Sequence, residues 1–189
     1  MKLYILRHGE TAWNRERRLQ GRSDVELNEI GRRLAKETAE LVLGGRDIPI
    51  IEDPRIIEIS FGVNEGKSWR KTESYEGDPN MYRFFNEPEL YQPVEGAESL
   101  EQLAERTADF MKDICGRPEL QDQTILVSTH GAATRGLLNS LRTWELHDFW
   151  GGRVAPNCGV AIVECRDGHP VLLEQNKTYY KVTEEFRFD

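Results

Sequence analysis

Two histidines each follow a short apolar run and precede a glycine, in Leu6-Arg7-His8-Gly9 and in Ser128-Thr129-His130-Gly131. A neutral imidazole can attack phosphorus and carry a phosphoryl group covalently, which splits one hard transfer into two easier ones. Arg7, beside the first histidine, offers a fork of N–H donors that matches phosphate oxygens. A second imidazole, if protonated, stabilises charge on the group in transit, and phosphoryl transfer needs chiefly positioning and charge stabilisation. Gly9 and Gly131 lack a Cβ and let the backbone approach a ligand closely. One histidine at a strand end is ordinarily structural. Two of them, one next to an arginine, point to phosphoryl chemistry.

Such a pair needs a scaffold that ends two strands at one place. Lys2 to Leu6 and Thr124 to Ser128 read as buried strands, and in open α/β sheets ligands bind beyond the carboxyl ends of the strands. Apolar runs alternate with helical periods, which predicts an α/β fold: three αβα layers around a mainly parallel sheet. Leu100, Leu103, Ala104, Thr107, Phe110, Met111 and Ile114 mark a helix from Ser99 to Cys115, with Ser99 and Gln102 as a capping box. Helices are also expected from Asn28 to Leu43, ended by Gly44-Gly45, and from Ala132 to Leu141. Ile48 to Glu52 reads as a strand that Pro49 confines to an edge. Gly159 to Cys165 and Pro170 to Glu174, around Asp167-Gly168, predict an antiparallel hairpin at or near the sheet edge. Ser68 to Gln92 reads as an excursion outside the core layers. Its aromatic residues, Trp69, Tyr75, Tyr82, Phe84, Phe85 and Tyr91, either line a pocket for a leaving group or pack the excursion onto the domain. Tyr179 to Asp189 is expected to be a surface tail.

The chain has 189 residues, the size of one domain, so residues 1–189 are read as a single unit. Asp and Glu total 33 against 25 Lys and Arg, for a net charge of −8. That excludes a general electrostatic grip on nucleic acid or an anionic membrane, so a bound anion must be held by a local basic site. No apolar run approaches the ~20 residues of a membrane span. Only Leu3 to Leu6 are apolar before Arg7, short of the ~7–15 residues of a secretory core. Cys115, Cys158 and Cys165 are odd in number and outside any CxxC pair, which favours reduced thiols in a cytoplasmic protein. No Asp/His cluster has metal-ligand spacing.

The N-terminal stretch Leu6-Arg7-His8-Gly9-Glu10-Thr11-Ala12-Trp13-Asn14 resembles the signature of the histidine phosphatase superfamily, the phosphoglycerate mutase-like branch. The likeness continues through Arg18-Leu19-Gln20-Gly21, Asp24, Leu27-Asn28 and Gly31, then Glu58-Ile59-Ser60-Phe61-Gly62 with Glu65-Gly66, Gly96-Ala97-Glu98-Ser99 and Thr129-His130-Gly131. The resemblance implies that His8 accepts the phosphoryl group, with Arg7, Asn14 and His130 as phosphate ligands. It implies Glu58 as the proton donor, with Glu65 as the runner-up. A carboxyl there would protonate the leaving alkoxide and then deprotonate the attacking water. Gln20 and Gly21 would line the substrate entrance, and Thr11 is either a phosphate ligand or a helix cap. The implied activity is that of a phosphomonoesterase acting on a small phosphorylated metabolite, without metal or cofactor. A mutase or a weakly active phosphoester-binding protein is the alternative. The short stretch from Gly66 to Gly96 resembles the phosphatases more than the mutases.

One block of the family pattern has no counterpart. Relatives carry a strand ending in Ser-Pro-Leu-x-Arg-Ala after the first helix, and its arginine is a second phosphate ligand. Here Gly31-Arg32-Arg33-Leu34-Ala35 runs straight into Lys36-Glu37-Thr38-Ala39. A sheet short of one strand exposes an edge. The expectation is a homodimer in which the helix from Asn28 to Leu43 is exchanged, with Arg32 or Arg33 replacing the lost cation.

Overall fold

The computed structural model describes residues 1–32, 48–69, 78–151 and 154–180. Strand β1 (Lys2–Arg7) lies inside a four-stranded sheet, flanked by β2 (Thr124–Thr129) and β3 (Val160–Arg166), with β4 (His169–Lys177) beyond β3. The pairing is parallel between β1 and β2 and antiparallel between β1 and β3 and between β3 and β4. The α/β class and the edge hairpin are as expected. The sheet is mixed, its parallel part being the pair that carries the two histidines. The β3–β4 turn falls on Asp167 and Gly168, both at positive φ, 52° and 77°, as a right-twisted two-residue hairpin requires.

Alternation along β1 sorts its side chains to two faces. Leu3 and Ile5 are wholly buried against Val127, Ala161, Val163 and Cys165 and against helix α3 (Leu100–Gly116) and helix α4 (Gly131–Asn139), numbered after the earlier helices given below. Leu6 points the other way, where Ile30 and Tyr180 pack with it around Cys158. Ile30 belongs to a helical turn beginning at Glu29, so helical structure covers both faces. α3 starts at the expected box: Ser99 accepts from the Gln102 N–H at 3.2 Å, and the Gln102 side chain accepts from the Ser99 N–H at 2.9 Å. α4 lies so close to α3 that a Cβ on Gly136 would come within 2.5 Å of Thr107 Oγ1.

Three expectations change, and a fourth, the helix from Asn28 to Leu43, lies mostly outside the described residues. Ile48 to Glu52 forms no strand, and Ile50 and Ile51 are 93% and 84% exposed. A strand needs a neighbour, Pro49 has no N–H to donate, and among the described residues β2 pairs only with β1. The excursion is not peripheral. Helix α2 (Pro79–Asn86), capped by Asp78, buries Met81 and Phe84 in a second core with Ile59, Leu100, Leu103 and Phe149. Phe84 meets Phe61, Phe85, Tyr91 and Trp150 edge-on, with ring centroids 4.8–5.2 Å apart. Its aromatic residues therefore mainly pack; Tyr82 is exposed, and Tyr75 lies outside the described residues. Of the helix expected from Asn28 to Leu43 only the turn through Arg32 is described. Tyr180, placed in the surface tail, instead donates its hydroxyl to the Asn157 carbonyl at 2.8 Å. The three cysteines are buried and unbridged.

Candidate active site

The register of the parallel pair brings the histidines together. Arg7 pairs with Thr129, and the His8 N–H donates to the Thr129 carbonyl at 3.0 Å. Both chains then leave the sheet at the same end, and the two imidazoles stand 5.1 Å apart between centroids, tilted by 59°. Gly9 is needed where β1 turns away, because a Cβ there would sit 2.5 Å from the Gly31 carbonyl oxygen. Gly31 in turn backs onto Glu10 so closely that no side chain fits.

His8 Nδ1 lies 2.6 Å from the Gly9 carbonyl oxygen. A carbonyl only accepts, so Nδ1 carries the proton and Nε2 keeps its lone pair. Burial first, then the charge of Arg7 and the neighbouring His130, hold the His8 pKa down at about 4. His8 is thus a neutral imidazole at physiological pH. Burial also lowers the His130 pKa, and although Glu58 pulls the other way the net shift is downward. Burial thus favours the neutral form of the second imidazole, whereas charge stabilisation calls for the protonated one.

Arg7 reaches across the end of the sheet, and its Nη1 donates to the Ala155 carbonyl at 2.6 Å. Its Nε is enclosed and without a partner. Among the described residues no carboxylate lies within ion-pair distance of it. Burial lowers its pKa, but a guanidinium remains charged. A Cβ on Gly131 would stand 3.4 Å from Arg7 Nε, in ordinary van der Waals contact, so the cation packs against the start of α4.

Glu58 completes the cluster from an irregular segment. Its carboxylate accepts from the Ala132 and Ala133 N–H groups at 3.1 and 3.0 Å and from the Ile59 N–H at 2.9 Å. The first two are free donors of the α4 N-terminus, where a negative charge is favoured. Glu65 is placed elsewhere. It accepts from the N–H groups of Arg22 and Phe61 at 3.0 and 3.2 Å and from the Ser23 hydroxyl. These bonds tie it to the turn at Gly21, whose φ is +57°. Its role is structural in that geometry.

The remaining expected residues form a chain beside His8. Thr11 is buried and caps α1 (Ala12–Glu16) in a reciprocal box with Asn14, at 3.1 Å in both directions. Its hydroxyl donates to Gln20 Oε1 at 2.8 Å. The cap reading of Thr11 therefore holds. Asn14 Oδ1 is occupied by the Thr11 N–H and by Asn157 Nδ2 at 3.3 Å, so the amide nitrogen of Asn14 is left as the available donor. Arg32 does not approach the site. It donates to the Leu27 carbonyl at 2.6 Å and faces Glu26, with its side chain 61% exposed. Arg33 lies outside the described residues.

Two supporting residues had no clear signal in the sequence. Asn157 is 3% exposed and donates to the His8 carbonyl at 3.2 Å as well as to Asn14. Glu10, 1% exposed, binds Arg15 at 3.0 Å and the Asn28 amide. An acidic residue inside an anion-binding loop was the available hint for Glu10. Among the described residues no three His, Cys, Asp or Glu side chains converge as metal ligands would, and no helix is long and apolar enough to cross a membrane.

The chain was compared with known proteins on this basis. A family model described as "Histidine phosphatase superfamily (branch 1)" matches residues 3–37 and 33–178, two stretches that meet at 33–37. A metal-independent phosphoserine phosphatase of Arabidopsis thaliana is 28% identical over 162 residues, covering 72% of this chain and 66% of that protein. Phosphoserine phosphatase 1 of Hydrogenobacter thermophilus is 26% identical over 202 residues, covering 94% of this chain and 93% of that protein. Since 94% of 189 residues is about 178, roughly two dozen of those 202 positions have no counterpart here. Bacillus stearothermophilus YhfR has a structure that superposes with a TM-score of 0.78 at 32% identity, covering 94% of this chain and 97% of that one.

The His8 environment makes a direct prediction. Between its ordinary value of 6.5 and about 4, the unfolded chain takes up a proton at this residue that the folded chain refuses. Acidification through that window therefore costs stability, and none is lost above it. In a nuclear magnetic resonance titration the His8 ring should change state with a midpoint near 4. A midpoint at or above 6.5 would contradict the enclosed, neutral imidazole.

Proposed function

Because the chain belongs to the histidine phosphatase superfamily, branch 1, we propose that it is a phosphomonoesterase that hydrolyses small phosphorylated metabolites through a phosphohistidine on His8. The observation that carries this reading is the enclosed guanidinium of Arg7, with a free Nε donor and, among the described residues, no carboxylate partner, beside an unprotonated His8 Nε2. A partly buried cation without a counterion is arranged for an anionic ligand.

In this mechanism Arg7, His130 and the Asn14 amide bind the phosphate oxygens, Gly131 leaves room for them, and Gln20 and Gly21 border the entrance. His8 Nε2 attacks phosphorus, the ester P–O bond breaks, and Glu58, entering the step as the carboxylic acid, gives its proton to the leaving alkoxide and becomes the carboxylate that the Ala132 and Ala133 N–H groups receive. Glu58 then takes a proton from water, the water oxygen attacks phosphorus, and the N–P bond breaks to release phosphate. Arrival of the phosphate dianion favours the imidazolium form of His130, supplying positive charge beside the group in transit. The printed names of the relatives make phosphoserine the first substrate to assay. The three buried, unbridged cysteines support a cytoplasmic setting, and the whole chain is read as one domain.

The absent block is part of the same proposal. The family match in two stretches and the two dozen unmatched positions support the loss of a strand and its arginine. Arg32 is engaged elsewhere, so the rate should fall by about 10²–10³, the usual effect of losing one transition-state donor. Because β2 has a free outer edge among the described residues, a homodimer formed across that edge is proposed, with the 28–43 helix exchanged.

Glu58→Gln tests the mechanism. A general acid matters for a basic alkoxide and little for a nitrophenolate. The variant should lose about 10²-fold on phosphoserine and less than about threefold on p-nitrophenyl phosphate. Equal losses on both would remove Glu58 from that role. With 3-phosphoglycerate the product should be free phosphate, whereas 2-phosphoglycerate would identify the mutase alternative. For the assembly, light scattering should give twice the chain mass, and a monodisperse monomer at full activity would contradict the exchanged dimer.

A further inference from the structure

We propose that Arg106, acting with Glu98 and Arg22, is a positioning residue that holds the Glu58 carboxyl over the reacting phosphate. The proposal rests on the reading of Glu58 as the proton donor. Glu58 sits in a segment with no strand or helix between Ile57 and Ser60, so no regular hydrogen-bond ladder orients it. Two guanidinium groups do so instead, chiefly that of Arg106. Arg106, on α3, donates through Nη1 to the Arg55 carbonyl at 2.7 Å and through Nη2 to the Glu58 carbonyl at 3.2 Å. It thereby grips both ends of the 55–58 segment. The Glu58 carbonyl also accepts from Arg22 Nε at 3.0 Å.

Both arginines are fixed by the same carboxylate. Glu98 takes Arg106 in a two-point bond, Nε to Oε1 at 2.6 Å and Nη2 to Oε2 at 2.8 Å, and takes Arg22 Nη2 at 3.1 Å. The Arg106 and Glu98 side chains are only 17% and 11% exposed, so water screens this pair far less than a surface pair. The fork geometry is specific to arginine, and a lysine cannot serve the carboxylate and two carbonyls at once. With its main chain gripped here and its carboxylate held by the Ala132 and Ala133 N–H groups, Glu58 is fixed at both ends. Arg22 directly follows Gly21, so the clamp also joins the entrance loop to the proton donor. Arg106 also lies near enough to His130 to act on it by charge, and that effect would fall on every substrate alike.

The test exploits this difference. Turnover of phosphoserine and of p-nitrophenyl phosphate is measured for the native protein, Arg106→Lys, Glu58→Gln and the double variant, with thermal unfolding as a control. Arg106→Lys should lower kcat on phosphoserine about tenfold, part of the 10²–10⁴ that a general acid supplies, with KM unchanged and p-nitrophenyl phosphate nearly unaffected. In the Glu58→Gln background the same substitution should cost nothing further. Equal losses on both substrates, or losses that multiply in the double variant, would overturn the positioning role while leaving Glu58 as the acid. If Glu58→Gln itself shows no leaving-group selectivity, the acid assignment and the clamp fall together. Should Arg106→Lys not fold, Arg22→Ala, which removes a half-exposed donor to the same carbonyl, must show the same selectivity at smaller size; its absence overturns the proposal.

Discussion

Parallel pairing of Arg7 with Thr129 carries two histidines from distant parts of the chain to one end of the sheet, with their rings 5.1 Å apart. Everything in the site depends on that register. A slip of one residue would turn β1 over, sending Leu3 and Ile5 out of the core and Leu6 into it. The core therefore enforces the geometry of the site. Wholly buried Leu3, Ile5 and Val163 specify the alignment, and the histidines, just beyond the strand ends, inherit it.

The second constraint is electrostatic. The site gathers one permanent cation and two imidazoles in a space that excludes much of the solvent, and burial acts on all three in the direction of the uncharged form. Only arginine stays charged under that pressure. The proposed division of labour follows from this: a fixed positive charge on Arg7, a neutral imidazole on His8 to serve as nucleophile, and a second imidazole to answer the arriving phosphate. The opposing negative charge of Glu58 is placed at the α4 N-terminus, where two free N–H groups receive it. Among the described residues no carboxylate is bonded to Arg7, which leaves its charge for an anion.

Much of this was legible in the sequence where local signals and packing agree. The capping box at Ser99, the hairpin turn at Asp167-Gly168 and the strands before His8 and His130 are all present. Of the two candidate carboxyls, Glu65 is bonded into the Gly21 turn, while Glu58 lies at the α4 N-terminus beside His130. The failures have physical causes. Ile48 to Glu52 has the composition of a strand, but a strand forms only against a neighbour, and among the described residues none is offered. The 68–92 excursion looked peripheral because its polar residues mask the spacing of Met81, Phe84 and Tyr91, which bury against residues far along the chain. Asn157 and Arg106 act through carbonyl groups, and a partner on the main chain leaves no trace in side-chain patterns.

The central claim is that His8 forms a covalent bond to phosphorus. Rapid quenching during turnover of a ³²P-labelled monoester measures it directly. The account predicts an acid-labile, base-stable adduct that maps to the peptide containing His8 and is absent from His8→Ala. Labelled adduct persisting in His8→Ala, or steady turnover with no adduct at any time point, would contradict it.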